Sequence, residues 1–83
     1  DAAVSLGMTR NQAYIYAAQT LKGAATYMLE SNRHPGELKD AVCSPAGTTI
    51  AAVEVLEKEG FRAGIMAAAK AAYDRSKELG SKK

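Results

Sequence analysis

Helical spacing of apolar residues runs along almost the whole of this 83-residue chain, and it limits the possible folds more than any other feature. Apolar residues recur at steps of three and four, which places them on one face of an α-helix, and no alternating pattern lasts long enough to predict a β-strand. The longest such face carries Tyr14, Ala17, Ala18, Leu21, Ala25 and Met28. The sequence therefore predicts an all-α fold, a helical bundle of about four or five helices.

Local signals predict where the first of these helices begin and end. The run Thr9-Arg10-Asn11-Gln12 has the pattern of a capping box, with Thr9 accepting the amide of Gln12 and the Gln12 side chain reaching back. The helix that follows is predicted to continue to about Glu30, because Asn32 interrupts the pattern. Pro35 suits the first turn of a short helix that extends to about residue 42.

The second half of the chain predicts two further helices. The first covers about residues 48–59 and is apolar over most of its circumference between Ile50 and Leu56, as in a core or an interface. Gly60 suits the left-handed position that ends such a helix in a Schellman motif. The second covers about residues 61–79 and is predicted to stop at Gly80.

The size and composition of residues 1–83, which we expect to form one domain, limit the class of protein to which the chain can belong. One domain of this length buries a modest share of its surface, and the strip at Gly23-Ala24 lets another helix approach closely, so we expect a homodimer or a higher homo-oligomer. No apolar run reaches the roughly 20 residues of a membrane span. The net charge of +2 is small for a nucleic-acid-binding protein. The single Cys43 excludes an internal disulfide and fits a reducing cytoplasm.

The run from His34 to Thr49 carries the most specific chemistry. Ser44 supplies a hydroxyl, Pro45 stiffens a turn, and Ala46-Gly47 keep bulk away, so that backbone N–H groups at the start of the next helix can bind a carboxylate or a phosphate. Ordinary capping of a helix explains this segment equally well on spacing alone.

Two neighbouring residues invite catalytic roles but have simpler interpretations. His34 directly precedes a proline and is expected to cap or end a helix, and it lies in no cluster with metal-ligand spacing, so we expect no metal. Cys43 has no evident paired base and is expected to be a small, half-buried thiol.

The same run resembles the carboxyl-terminal signature of pyrroline-5-carboxylate reductases, and the resemblance covers the whole chain. The matching positions, at that family's spacing, are His34-Pro35-Gly36, Leu38-Lys39-Asp40, Ser44-Pro45, Gly47, Thr49, Leu56-Glu57, Gly60-Phe61-Arg62 and Arg75. Where the family most often has Gly-Gly, this chain has Ala46-Gly47. The departure matters if position 46 needs a positive φ.

The resemblance implies the dimerisation domain of an enzyme of proline biosynthesis that reduces 1-pyrroline-5-carboxylate to L-proline with NADPH or NADH. The chain has no G-x-G-x-x-G and opens without methionine, so we expect a fragment that lacks the Rossmann domain of the enzyme. That missing domain would bind most of the cofactor. We therefore expect the fragment to be inactive alone. By position, Ser44 and the amides of Gly47 and Thr48 would bind the substrate carboxylate. Thr49 would be the catalytic residue, its hydroxyl orienting the imine nitrogen.

Two interpretations from other classes stay open. The chain can be a purely structural helical association module without a ligand site, in which the turn at residues 44–49 only starts a helix. It can also be a small nucleic-acid-binding domain, although its basic residues do not share one helical strip. The basic residues that fall on different strips are Arg10, Lys22, Arg33, Lys39 and Arg62.

Overall fold

A computed structural model describes residues 1–81 and contains five α-helices in that range. They are α1 (Ala2–Ser5), α2 (Arg10–Ser31), α3 (Pro35–Val42), α4 (Thr48–Lys58) and α5 (Phe61–Ser81). No strand occurs among these residues, so the prediction of an all-α fold with four or five helices is confirmed. Lys82 and Lys83, which carry part of the net charge, lie outside the described residues.

The chain divides into two compact units, Asp1–Ala41 and Val42–Lys83. In the first unit α1 packs on α2, and in the second α4 packs on α5. The short loop between α4 and α5 makes these two helices neighbours. Whether residues 1–83 form a single domain stays a prediction.

The predicted ends of α2 are confirmed. Thr9 is the N-cap, with extended backbone angles, and its hydroxyl accepts the N–H of Gln12 at 3.3 Å. The reverse bond from the Gln12 side chain is absent from the hydrogen bonds of residues 1–81. At the other end Asn32 adopts the left-handed conformation at φ 56°, which asparagine tolerates better than most residues.

The start of α3 shows what His34 does. Its ring Nδ1 accepts the N–H of Gly36 at 2.9 Å, and its carbonyl oxygen accepts the N–H of Leu38 at 3.1 Å. His34 is therefore the N-cap of α3, with Pro35 at the first helical position. The interpretation of this histidine as a cap is confirmed.

The turn between α4 and α5 contains Gly60 at φ 74°, as predicted. Its N–H donates to the Glu57 carbonyl at 3.2 Å, which is one of the two bonds of a Schellman motif. The prediction that the last helix stops at Gly80 is wrong, because α5 continues to Ser81. Gly80 lacks the positive φ that makes a glycine a helix terminator, and within a helix it costs only about 1 kcal/mol relative to alanine.

The described residues hold almost no core. Ala13, at 4% exposure, is the one buried residue among them, whereas Leu21 and Met66 are 74% and 68% exposed. A β-carbon built on Gly23 or Gly64 would meet no atom within 4 Å, so the bare helix strips have no neighbour within residues 1–81. The apolar faces predicted from the sequence therefore form, but residues 1–81 do not cover them. None of these helices is long and apolar enough to cross a membrane.

Candidate functional site

A tight turn of four residues connects α3 to α4. The N–H of Gly47 donates to the carbonyl oxygen of Ser44 at 3.1 Å, which closes the turn. Pro45 occupies the second position, where its fixed φ is suitable, and Ala46 occupies the third with a positive φ. Proline second and positive φ third is the pattern of a type II turn. The predicted stiff turn is thus present.

Ala46 adopts the left-handed conformation, at φ 57°. The other non-glycine residue with a positive φ in the described range is Asn32, whose side chain tolerates it. An alanine pays about 1–2 kcal/mol for this conformation, because its β-carbon crowds the backbone. Position 46 therefore has the positive φ for which glycine would be the unstrained residue.

Gly47 is constrained by the space beside it and not by its own backbone angles. It is the N-cap of α4 and has extended angles, φ −83° and ψ 178°, which any residue can adopt. A β-carbon at this position, however, would overlap the Ser44 Oγ and stand 3.2 Å from the Ser44 carbonyl oxygen. The close approach of Ser44 to the start of α4 thus depends on glycine at position 47.

The first backbone amides of α4 are free to bind a ligand. The first intrahelical bond runs from the Ala51 N–H to the Gly47 carbonyl at 3.3 Å. The N–H groups of Thr48, Thr49 and Ile50 precede it, and none has an acceptor within residues 1–81. Three unpaired donors at the positive end of a helix dipole favour an anion.

Three residues of the same segment carry hydroxyl groups. Ser44, Thr48 and Thr49 are exposed, and their hydroxyls form no hydrogen bond within the part of the chain that the structure describes. Each can donate one hydrogen bond to a ligand and accept others. Donors of two kinds therefore lie on one short segment, which is the arrangement predicted for a carboxylate.

The four predicted site residues thus lie together, but their roles differ in one respect from the prediction. The N–H of Gly47, expected to bind carboxylate, is already bonded to Ser44. The N–H of Ile50 was missed, although counting three residues on from a helix N-cap identifies it. The binding roles of Ser44, Gly47, Thr48 and Thr49 stay predictions.

Cys43 and the acidic residues do not extend this site. Cys43 is a free, half-buried thiol, as expected. Among residues 1–81 no group of three histidine, cysteine or carboxylate side chains is placed to hold a metal ion. The expectation that the site contains no metal stays a prediction.

The second unit also has an open apolar groove of about 270 Å³ where α4 meets α5. Its lining residues are Glu57, Phe61, Arg62, Ile65 and Met66. The Arg62 guanidinium bonds the Glu57 carboxylate at 3.2 Å at its edge. Three of these residues, Glu57, Phe61 and Arg62, belong to the signature described above, but no bond connects them to the turn.

Comparisons with known proteins agree on one family. The family model described as "Pyrroline-5-carboxylate reductase dimerisation" matches residues 1–79. Pyrroline-5-carboxylate reductase from Escherichia coli is 54% identical over 79 residues, covering 95% of this chain and 29% of that protein. The Methanosarcina acetivorans protein of the same name is 56% identical over 82 residues, covering 99% and 30%.

A solved structure agrees with this match. The crystal structure of Plasmodium falciparum pyrroline carboxylate reductase with NADP bound superimposes with a TM-score of 0.90 at 35% identity. The match covers 96% of this chain and 30% of that one. The chain therefore spans about 30% of the length of the proteins it matches.

Proposed function

The chain belongs to the pyrroline-5-carboxylate reductase dimerisation family, and we propose that it is the carboxyl-terminal domain of an enzyme that reduces 1-pyrroline-5-carboxylate to L-proline. The match over residues 1–79 is the observation that carries the proposal. The free donors at the start of α4 support it, because the substrate bears a carboxylate. The parent enzyme would act in proline biosynthesis.

The turn and the start of α4 would anchor the substrate carboxylate. The N–H groups of Thr48, Thr49 and Ile50, which have no acceptor among residues 1–81, form the positive end of α4 and favour an anion there. The Ser44 hydroxyl adds a further donor. Gly47 contributes chiefly by leaving room for Ser44. Its own N–H can bind the carboxylate only if it leaves the Ser44 carbonyl.

Thr49 would orient the ring. The substrate is a cyclic imine, so reduction requires its ring nitrogen to be held while a hydride reaches the adjacent carbon. A threonine hydroxyl is far too weak an acid to protonate that nitrogen efficiently, so we assign Thr49 a hydrogen bond to it, and the net proton comes from solvent. The main contribution of this domain is then positioning.

The nicotinamide cofactor would be bound mainly outside this chain. A dinucleotide site of the Rossmann type needs a glycine-rich turn between a strand and a helix. Residues 1–81 contain no strand, and the sequence has no G-x-G-x-x-G, so these residues do not fit the group. The related structure with NADP bound supports a nicotinamide cofactor for the parent enzyme.

A second copy of the chain would cover the exposed apolar faces. Large apolar side chains are exposed on both long helices, and the glycine strips have open space beside them. Buried apolar area is the main source of stability for a domain of this size, and one copy supplies little. We therefore expect a homodimer or a larger homo-oligomer. The expected location of the parent enzyme is the cytoplasm.

The test is a steady-state assay of the full-length parent with pyrroline-5-carboxylate and NADPH or NADH. Proline formation is expected, and its absence with a well-folded enzyme would refute the proposal. The 83-residue chain alone is expected to show no turnover, because residues 1–81 form no dinucleotide site of the Rossmann type for the hydride donor. If L-proline causes no change in the amide NMR signals of residues 44–50 in the full-length enzyme, the alternative of a purely structural module is favoured.

A further inference from the structure

We propose that His34 is a proton-sensitive N-cap, in which the neutral imidazole closes the first turn of α3 and protonation of the ring opens it. The inference does not depend on the proposed function, because it concerns the start of α3 and not the turn at residues 44–49. It goes beyond the capping role described above by assigning that role to one protonation state of the ring.

The hydrogen bond at the N-cap requires the neutral ring. The backbone N–H of Gly36 can only donate, and its nitrogen lies 2.9 Å from the Nδ1 of His34. Nδ1 accepts only when its lone pair is free, so the proton of the neutral imidazole has to be on Nε2. An imidazolium carries a proton on both nitrogens and has no acceptor. Protonation therefore replaces the capping bond by two N–H groups that face each other.

The ring lies close against the backbone that it caps. A β-carbon on residue 36 would stand 3.1 Å from Nδ1 and 3.3 Å from Cε1 of His34, which is tighter than ordinary van der Waals contact. Glycine at position 36 thus leaves room for the imidazole beside the amide. The His34 side chain is exposed, so protons from the solvent can reach the ring.

No acidic side chain is paired with the ring to stabilise its charged form. Among residues 1–81 no ion pair involves His34. Glu37, in the first turn of α3, accepts a hydrogen bond from Arg33 Nε at 2.6 Å, so its charge already has a partner. Glu30, in the last turn of α2, forms no ion pair with the ring either. The positive end of the α3 dipole disfavours an imidazolium as well.

The cap is therefore expected to open on the acidic side. Histidine is the side chain that ordinarily changes charge between about pH 5 and 8. Because the closed turn needs the neutral ring, its stabilising contribution is present above that range and is lost as the pH falls through it. The typical cost of losing an N-cap corresponds to a change of about 2- to 30-fold in the ratio of closed to open turns.

Hydrogen exchange at the amides of Gly36 and Leu38 in the full-length enzyme tests the inference, at about pH 8 and about pH 5. The Leu38 N–H donates to the His34 carbonyl at 3.1 Å and so reports on the first bond of the helix. Each exchange rate is divided by the intrinsic rate of that amide at the same pH. Two variants are matched to the wild type, since His34→Asn keeps an acceptor that does not titrate and His34→Ala has none.

The wild type is expected to change sides between the two variants. At about pH 8 it should protect both amides as well as His34→Asn does, and about 2- to 30-fold better than His34→Ala. At about pH 5 its advantage over His34→Ala should disappear, whereas His34→Asn should keep its own. Nitrogen NMR of the His34 ring should show the Nε2–H tautomer at the higher pH.

Three results would overturn the inference. The same wild-type advantage over His34→Ala at both pH values would show that protonation does not open the cap. An advantage lost in His34→Asn as well would assign the pH effect to another group, such as Glu37. An Nδ1–H tautomer at the higher pH would exclude the ring as the acceptor. If His34→Asn does not fold, the comparison with His34→Ala and the tautomer still decide.

Discussion

The hydroxyl of Ser44 occupies the space that a β-carbon on residue 47 would need. Gly47 is therefore fixed by contact with one side chain and not by its own backbone angles, which are extended. The pair connects the end of the turn to the first residue of α4, so a change in either residue should alter the proposed carboxylate site.

Gly47→Ala should lower both stability and substrate affinity. The added methyl group has to displace the Ser44 hydroxyl and would stand 3.2 Å from the Ser44 carbonyl oxygen, which is tighter than ordinary van der Waals contact. We expect a lower melting temperature by circular dichroism and a KM for pyrroline-5-carboxylate raised by about 10-fold or more. Adding Ser44→Ala to Gly47→Ala removes the overlapping oxygen and should restore part of the stability. A double variant no more stable than Gly47→Ala would contradict this contact.

Thr49→Val should lower kcat/KM for the imine by about 10- to 1,000-fold in the full-length enzyme. The substitution keeps the branched shape and removes the hydroxyl, which corresponds to one positioned hydrogen bond worth about 1.5–4 kcal/mol in the transition state. The KM for the cofactor should barely change. Steady-state kinetics check this, and a wild-type kcat/KM with an intact fold would remove Thr49 from the reaction.

Met66→Asp should weaken self-association. Met66 lines the apolar groove on α5 and is 68% exposed in the single chain, so a charge placed there would be buried without a partner in a dimer. Light scattering at micromolar concentration should show a dimer or larger for the wild type and a shift toward monomer for the variant. Glu54→Lys, at an exposed polar position on α4, is the control for a change of charge. A well-folded wild-type monomer would refute the interface.

His34→Ala should destabilise the start of α3 by about 0.5–2 kcal/mol, because the Gly36 N–H loses its acceptor. His34→Asn keeps a side-chain acceptor at the N-cap and should recover most of that loss. Chemical denaturation of both variants measures the difference. Hydrogen exchange at the Gly36 amide adds a local readout, and equal protection in wild type and His34→Ala would show that the ring does not cap the helix.

Helix positions were predictable from local chemistry. Thr9, Asn32 and Pro35 act within a few residues of themselves, through capping bonds and backbone preferences, so their effects can be read from sequence. Gly80 shows the limit of this reasoning. A glycine ends a helix only if it turns left-handed, and a lone glycine in sequence does not reveal which conformation it takes.

The sequence by itself determined the helical fold, the site segment and the family, because periodicity, caps and the spacing of Ser44, Gly47 and Thr49 are properties of the order of residues. Only the tertiary structure decided that Ala46 is left-handed, that the Gly47 N–H is bonded to Ser44, and that the apolar helix faces stay uncovered. The reason is physical. A turn joining two helices adopts the backbone angles that satisfy both helix ends and its own contacts together, and a face is covered only if another surface reaches it.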